Sequence, residues 1–463
     1  MKIITSGSLV IASVLAFAQL AVFGQVQERN VRAAMTFLAG DAMQGRGSGT
    51  PFERIAAEYV ASQFMQCGLE PAGDSGFDGK LGYTQAVNIS RTTFAGPPIL
   101  RYGATILTHG GEIVVLRTNM GTAAGPLQKL MTASQKPEPG SAVLLRTAIS
   151  EDPRSVQQSI QRLTSEGASI VLIEETTQWR AMWASFVTRR VGFTVSSSGT
   201  KPAVAVIISK AAADAISKLP DGTRIDFGGA LAPTQTSQTW NAIGKISGTD
   251  PKLSSEVIVL SSHLDHLGVR ENAQGDDKIF NGADDDASGT VAVMELARLL
   301  AAGKRPKRTV YFVCYGSEEA GGFGSGHFVN TLPFPKEKIV ANLQWEMIGR
   351  PDAKVKPDEL WLTGYERSNL GPELAKRGAK LVQDPHPQEN FFQRSDNFTL
   401  ARQGVIAHTV SSFGLHTDYH RATDELKTID FGYMTTSINS MVKPIEWLSN
   451  SDFRPAWVEG KRP

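Results

Sequence analysis

Cysteine is scarce: Cys67 and Cys314 are the only two in 463 residues. That excludes a disulfide framework even for a chain sent to an oxidising compartment. Cys314 lies in the apolar run 310–315 and reads as a small buried side chain rather than a nucleophile. An excess of one charge is also missing. With 47 Lys and Arg against 46 Asp and Glu, the formal net charge is +1, which offers no basic surface to a phosphate backbone and excludes nucleic acid as a partner. Long apolar runs are missing too, except at the start. There Lys2 precedes an apolar run over residues 9–23, short for a membrane span but in the form of a signal peptide. Cleavage is expected after Gly24, with Ala16 and Ala18 offering an earlier small-x-small site. The mature protein is expected to be exported, periplasmic or secreted, and to keep no stable membrane span.

What is present is enough apolar content, 41%, to build more than one core at this length. Residues 31–38 and 51–67 read as helices. Thr50 is placed to cap the second, with Pro51 in its first turn, Gly68 ending it, and Ile55, Tyr59, Phe64 and Met65 near helical spacing. The glycine-rich stretch 40–49 between them is expected to be a loop packed under a domain rather than an anion cradle. Residues 96–239 hold short strands and almost none of the acid and histidine clusters, and read as an inserted domain. Within it, 141–146, 155–166 and 168–174 form a strand-helix-strand unit, 203–209 adds a strand, and 179–190 reads as a packed amphipathic helix. From residue 241 onward, apolar runs at 256–260, 310–315, 340–345 and 404–410 alternate with helical patterns such as 291–300. This predicts an α/β fold with a mixed, mostly parallel central sheet covered by helices on both faces. The expected order is signal peptide 1–24, a main domain in two parts, 25–95 and 240–463, and the insertion 96–239.

The acids and histidines collect where such a sheet binds ligands, beyond the carboxyl ends of strands. They are His263 and Asp265, Asp284 to Asp286, Glu318 with Glu319, Glu346, and the loop from His416 to His420. Buried carboxylates need a counter-charge, and imidazole with carboxylate suits zinc. Two metals about 3.5 to 4 Å apart lower the pKa of a shared water towards about 7, and a separate carboxylate then moves its proton. Spacing alone allows either His416 or His420 as a ligand, and any of the three aspartates as a bridge.

The blocks Ser262-His263-Leu264-Asp265-His266-Leu267-Gly268, Asn281-Gly282-Ala283-Asp284-Asp285-Asp286-Ala287-Ser288-Gly289, Gly316-Ser317-Glu318-Glu319-Ala320-Gly321 and Asp418-Tyr419-His420-Arg421-Ala422-Thr423-Asp424 resemble, in order, the signature blocks of the M28 family of zinc aminopeptidases. The insertion resembles the protease-associated (PA) domain that many members carry. The resemblance implies an exported aminopeptidase with two zinc ions and peptide substrates bearing a free amino terminus. His263 and Glu346 would hold one zinc, Glu319 and His420 the other, and Asp285 would bridge them. Glu318 would be the general base, Asp265 would orient His263, and Tyr419 would donate to the developing oxyanion. Asp286 is expected to cap the helix that follows, and Asp424 to orient His420. His266, His327, His408, His386 and His109 are expected to be structural or exposed. Glu346 stands where many members have aspartate; glutamate is found in the glutaminyl cyclase branch, and Asp352 is the fallback ligand. Three other readings compete: a glutaminyl-cyclase-like enzyme, a carboxypeptidase for acidic dipeptides, and a non-catalytic receptor or scaffold.

Overall fold

Strands buried along their whole length on both faces are read as continuous runs of Val, Ile and Leu, and they become the centre of a covered sheet. The computed structural model describes residues 24–76, 79–132, 134–146, 153–187, 191–194, 203–273 and 275–463. The expected signal-peptide run at 9–23 lies outside these, as do 188–190 at the end of the expected helix 179–190. The chain divides after Val87 and again after Ser237, so that Asn88–Ser237 is one unit and the chain on either side of it is the other.

In the flanking unit the sheet is formed by β1 (Gln235–Ile246), β2 (Val257–His263), β3 (Thr309–Tyr315), β4 (Ile339–Trp345), β5 (Leu360–Leu362), β6 (Leu381–Gln383) and β7 (Ala407–Ser411), in the order β6-β5-β7-β4-β2-β3-β1. Its centre, β3-β2-β4-β7, is parallel, while β1 and β5 join antiparallel at the two sides. The expected mixed, mostly parallel α/β sheet is what forms. Helices α1 (Glu28–Leu38), α2 (Pro51–Gln66), α3 (Gly289–Ala302) and α4 (Phe431–Asn450) belong to this unit. One apolar core takes Met35, Val60, Leu260, Leu296, Phe312 and Ile438, and the opposite face of the sheet packs Val259, Tyr311, Val313, Phe328 and Leu400. Among the described residues no helix is long and apolar enough to cross a membrane.

The start of α2 follows its sequence signal, with Thr50 Oγ1 accepting from Glu53 N at 3.4 Å and Pro51 in the first turn. Its inward face does not. Phe64 is buried, but Ile55 and Met65 are 42% and 62% exposed, and the buried stripe is Ala56, Ala57, Val60 and Ala61. Small side chains let this helix approach its neighbours closely, and they weigh little in an apolar pattern.

The unit Asn88–Ser237 has its own parallel strands: Thr122–Leu130, Ala142–Leu145, Ile170–Glu174 and Val204–Ile208. The helix Pro153–Ser165 links the second to the third, the strand-helix-strand order expected there. Apolar clusters cover both faces. Residues 177–187 form two short helices that bury Trp179 and Trp183.

Candidate metal centre

His263 is the last residue of β2, and Asp265 and His266 follow just after Leu264. The Ser317–Glu319 turn leaves β3, Glu346 follows β4, and the loop bearing His416 to His420 follows β7. All of these stand at the carboxyl ends of the parallel strands, where the sheet leaves its backbone ends open to a ligand. The turn 283–288 leads Asp284, Asp285 and Asp286 into α3.

The three aspartates separate by partner. Asp286 accepts from the backbone N–H groups of His263, Gly289 and Met347 at 3.0–3.1 Å, so it holds the first turn of α3 against two ligand-bearing segments. Asp284 accepts from Gly349 N at 2.7 Å and faces His416 Nε2 at 3.0 Å. Asp285 alone is placed between histidines. Its Oδ1 lies 3.2 Å from His263 Nε2, and its Oδ2 lies 3.2 Å from His420 Nε2. Glu319 Oε1 is 3.1 Å from the same His420 nitrogen and 3.0 Å from His266 Nδ1.

His266 was expected to be structural or exposed. It is buried in the site, and one donor atom each from His266, Asp285 and Glu319 fall within 4.8 Å of one another, close enough to share an ion. The available signal was its spacing, three residues beyond His263. His109, His386 and His408 lie elsewhere on their own partners, Val115 N, Asp352 and Ser368 with Thr363. Asp352 is taken by Trp361 Nε1 and His386 Nε2.

Asp265 lies beside the His263 ring, its backbone O 3.2 Å from His263 Nδ1. Its Oδ1 is 3.6 Å from His263 Nδ1. Its carboxylate also accepts from Glu318 N at 3.0 Å, Glu319 N at 3.3 Å and the Ser48 hydroxyl at 2.5 Å, which ties it to the turn after β3. Asp424 accepts from the N–H groups of Asp284 and Asp285 at 3.0–3.1 Å and from Arg350 at 3.2 Å, while Arg350 also holds Asp418 at 2.7 Å. Asp424 thus fixes the backbone of Asp285 rather than the ring of His420. Tyr419 stacks on His420 with ring centres 3.9 Å apart. It lines, with Glu346, Trp361, Phe391, Arg394 and Phe413, a small pocket of about 30 Å³.

The backbone here is bent into conformations that side chains disfavour. Ser317, Met347, Leu415 and His420 all have φ between 52° and 58°. Each costs on the order of 1–3 kcal/mol and persists only where surrounding bonds impose it. Ser317 N is held by Glu53, and Met347 is held by Asp286 and Ser412.

The electrostatics point to a missing counter-charge. Burial pushes Glu318 well above the usual carboxylate range, and Asp396, Glu346 and Glu319 push it further against His263. Burial likewise takes Glu346 up to about 7 and Asp396 to about 7. Burial opposes ionisation of Asp285 as well, but His263 and His420 outweigh it and bring it well below its usual value. His420 moves the other way: burial opposes its charge, but Asp285 and Glu319 raise it to about 9. His266 Nε2 and Glu346 Oε2 are buried without a hydrogen-bond partner. Such atoms are costly unless something positive takes them. Nitrogen and carboxylate oxygen donors in this number fit zinc.

Comparison with known proteins agrees with that chemistry. Residues 241–443 match the model of Peptidase family M28. An aminopeptidase of Pseudomonas aeruginosa is 34% identical over 119 residues, 25% of this chain and 19% of that protein. Leupeptin-inactivating enzyme 1 of Streptomyces exfoliatus is 34% identical over 136 residues, 28% of each. The chain therefore spans less than a third of the length of these relatives. Solved structures show the fold over a wider span: an aminopeptidase from Aneurinibacillus sp. strain AM-1 has a TM-score of 0.55 at 18% identity, covering 93% of this chain and 96% of that one. A zinc aminopeptidase from Bacillus subtilis has a TM-score of 0.51 at 17% identity, covering 95% and 98%. The segment 241–443, which carries His263, Asp285, Glu318, Glu319, Glu346 and His420, is thus the part of this chain that is similar to peptidase family M28.

Proposed function

We propose that the protein is an exported zinc aminopeptidase that removes amino-terminal residues from peptides. The observation that carries this reading is Asp285, whose two carboxylate oxygens each lie 3.2 Å from a different histidine, His263 and His420. A carboxylate so placed suits a bridge between two ions. His263 and Glu346 would complete one site, Glu319 and His420 the other, and His266 is a further donor within reach of Glu319. Bound there, zinc supplies Lewis acidity and lowers the pKa of water. The chain's own part is proton movement and orientation. Glu318, fixed by its backbone bond to Asp265, would take the proton from water and return it to the leaving amine. Tyr419 is placed beside His420 to donate to the developing oxyanion. The small pocket lined by Trp361, Phe391 and Phe413 beside Glu346 would receive a small side chain of the first residue. The reading also treats Asn88–Ser237 as an inserted PA-like domain and residues 1–24 as the export signal.

A panel of aminoacyl chromogenic substrates, run beside amino-blocked and carboxypeptidase substrates, tests the reading. Free-amine substrates should be cleaved and blocked ones spared. Chelator should abolish cleavage, and Glu318→Gln should lower kcat by about 10³-fold while zinc content stays at the wild-type level. Equal cleavage of blocked substrates, or a Glu318→Gln variant that keeps both its zinc and its rate, overturns it.

A further inference from the structure

The segment between α1 and the first turn of α2 lies outside the residues matched by the family, yet three of its side chains reach the site. Arg46 is fully buried. Its Nε donates to Leu264 O at 2.8 Å, Nη1 to Leu38 O at 2.6 Å and Asn281 O at 2.7 Å, and Nη2 to Gly282 O at 2.9 Å. Leu264 separates His263 from Asp265, and Asn281 and Gly282 lead into the three aspartates. A guanidinium is a rigid planar fork, so the carbonyls it collects are held at fixed spacing. Ser48 Oγ donates to Asp265, which in turn accepts from Glu318 N and Glu319 N. Glu53 Oε1 accepts from Ser317 N at 2.8 Å and Thr239 Oγ1 at 2.6 Å, and its Oε2 accepts from Gly49 N. Ser317 is one of the residues at positive φ. Three inward side chains on eight consecutive positions therefore grip three ligand-bearing turns, at 263–265, 281–286 and 317–319.

We propose that residues 46–53 form a template that sets the distances between the metal-ligand turns, with Arg46, Ser48 and Glu53 as its positioning residues. The inference rests on the metal-centre reading above. Each acts through backbone or through Asp265. The gap between strand-end loops is a quantity that the sheet alone leaves loose, because loops beyond strand ends carry no ladder hydrogen bonds. The template supplies those bonds from outside the sheet.

Cobalt(II) added to the chelator-stripped full chain is the probe. Its visible absorption reports ligand geometry, and competition with a chromogenic chelator gives affinity. Arg46→Lys, Ser48→Ala and Glu53→Gln should each weaken cobalt binding by about tenfold or more and shift the spectrum. Thr50→Ala is the control, since Thr50 caps α2 and donates to Gly47 O; it should lower the thermal midpoint and leave cobalt affinity and spectrum unchanged. Wild-type affinity and spectra in Ser48→Ala and Glu53→Gln overturn the template, and these two decide the matter if Arg46→Lys does not fold. A loss in Thr50→Ala equal to theirs also overturns it, since general loosening of the segment would then account for the effect. A wild-type chain that takes up no cobalt overturns the metal-centre reading and the template with it.

Discussion

The two units differ in what they bury. Among the described residues, the polar and charged side chains buried in Asn88–Ser237 are Thr92, His109, Thr118, Ser141 and Ser169, with no acid, lysine or arginine. The flanking unit buries Arg46, Glu53, Asp265, Asp284, Asp285, Asp286, Asp352, Asp396 and Asp424, along with His263 and His266. One interior is built for cohesion; the other carries a concentrated charge that weakens it unless neutralised. The contrast locates chemistry without any reference to motif, because uncompensated acids are too costly to keep as filler.

Metal removal is the sharpest way to break this contrast. Calorimetry of the metal-loaded chain should show a transition for the acid-rich unit that drops on chelation by the equivalent of about 4 kcal/mol, for free metal at a thousand times its dissociation constant. The transition of Asn88–Ser237 should stay in place; if both fall together, the two interiors are not energetically distinct. A cut in the apolar interior should give the opposite pattern. Leu172→Ala, at a fully buried position in Ile170–Glu174, should cost about 3 kcal/mol and leave metal content and activity unchanged. A change in metal content would show that the units are coupled.

The smallest effect is expected from a buried histidine away from the metal centre. His408 is held between Ser368 Oγ and Thr363 O, and burial lowers it to about 4. The unfolded chain takes up this proton near pH 6.5 and the folded chain does not, so the stabilisation is complete above that pH and is lost as pH falls towards 4. At pH 5 the loss should be about 2 kcal/mol. His408→Gln should flatten the decline in urea-unfolding free energy between pH 7 and 5, and an unchanged slope would count against the assignment.

Much of this was legible in the sequence, and the parts that were not share a cause. Strands such as Val257–His263 were readable because burial on both faces demands a continuous apolar run. The acids at their ends were readable because their residue types are rare next to such runs. Asp265 was legible beside His263, but its grip on Glu318 N and Glu319 N is a contact between turns that no local pattern announces. Arg46 sits in a glycine-rich stretch that reads as a loop packed under a domain, and nothing local signals that its hydrogen-bond partners include carbonyls far along the chain. The inward face of α2 was misread because alanine fills close contacts without a strong apolar signature.

The span of those Arg46 contacts has a kinetic meaning. They join residues 218 to 236 positions apart, and Val26 meets Asn439 across 413. Closing such long loops costs chain entropy before any contact rewards it, so the sheet can collapse locally while the metal centre waits for its distant partners. The candidate site is therefore a late product of folding, and a chain still being made holds its acids and histidines apart.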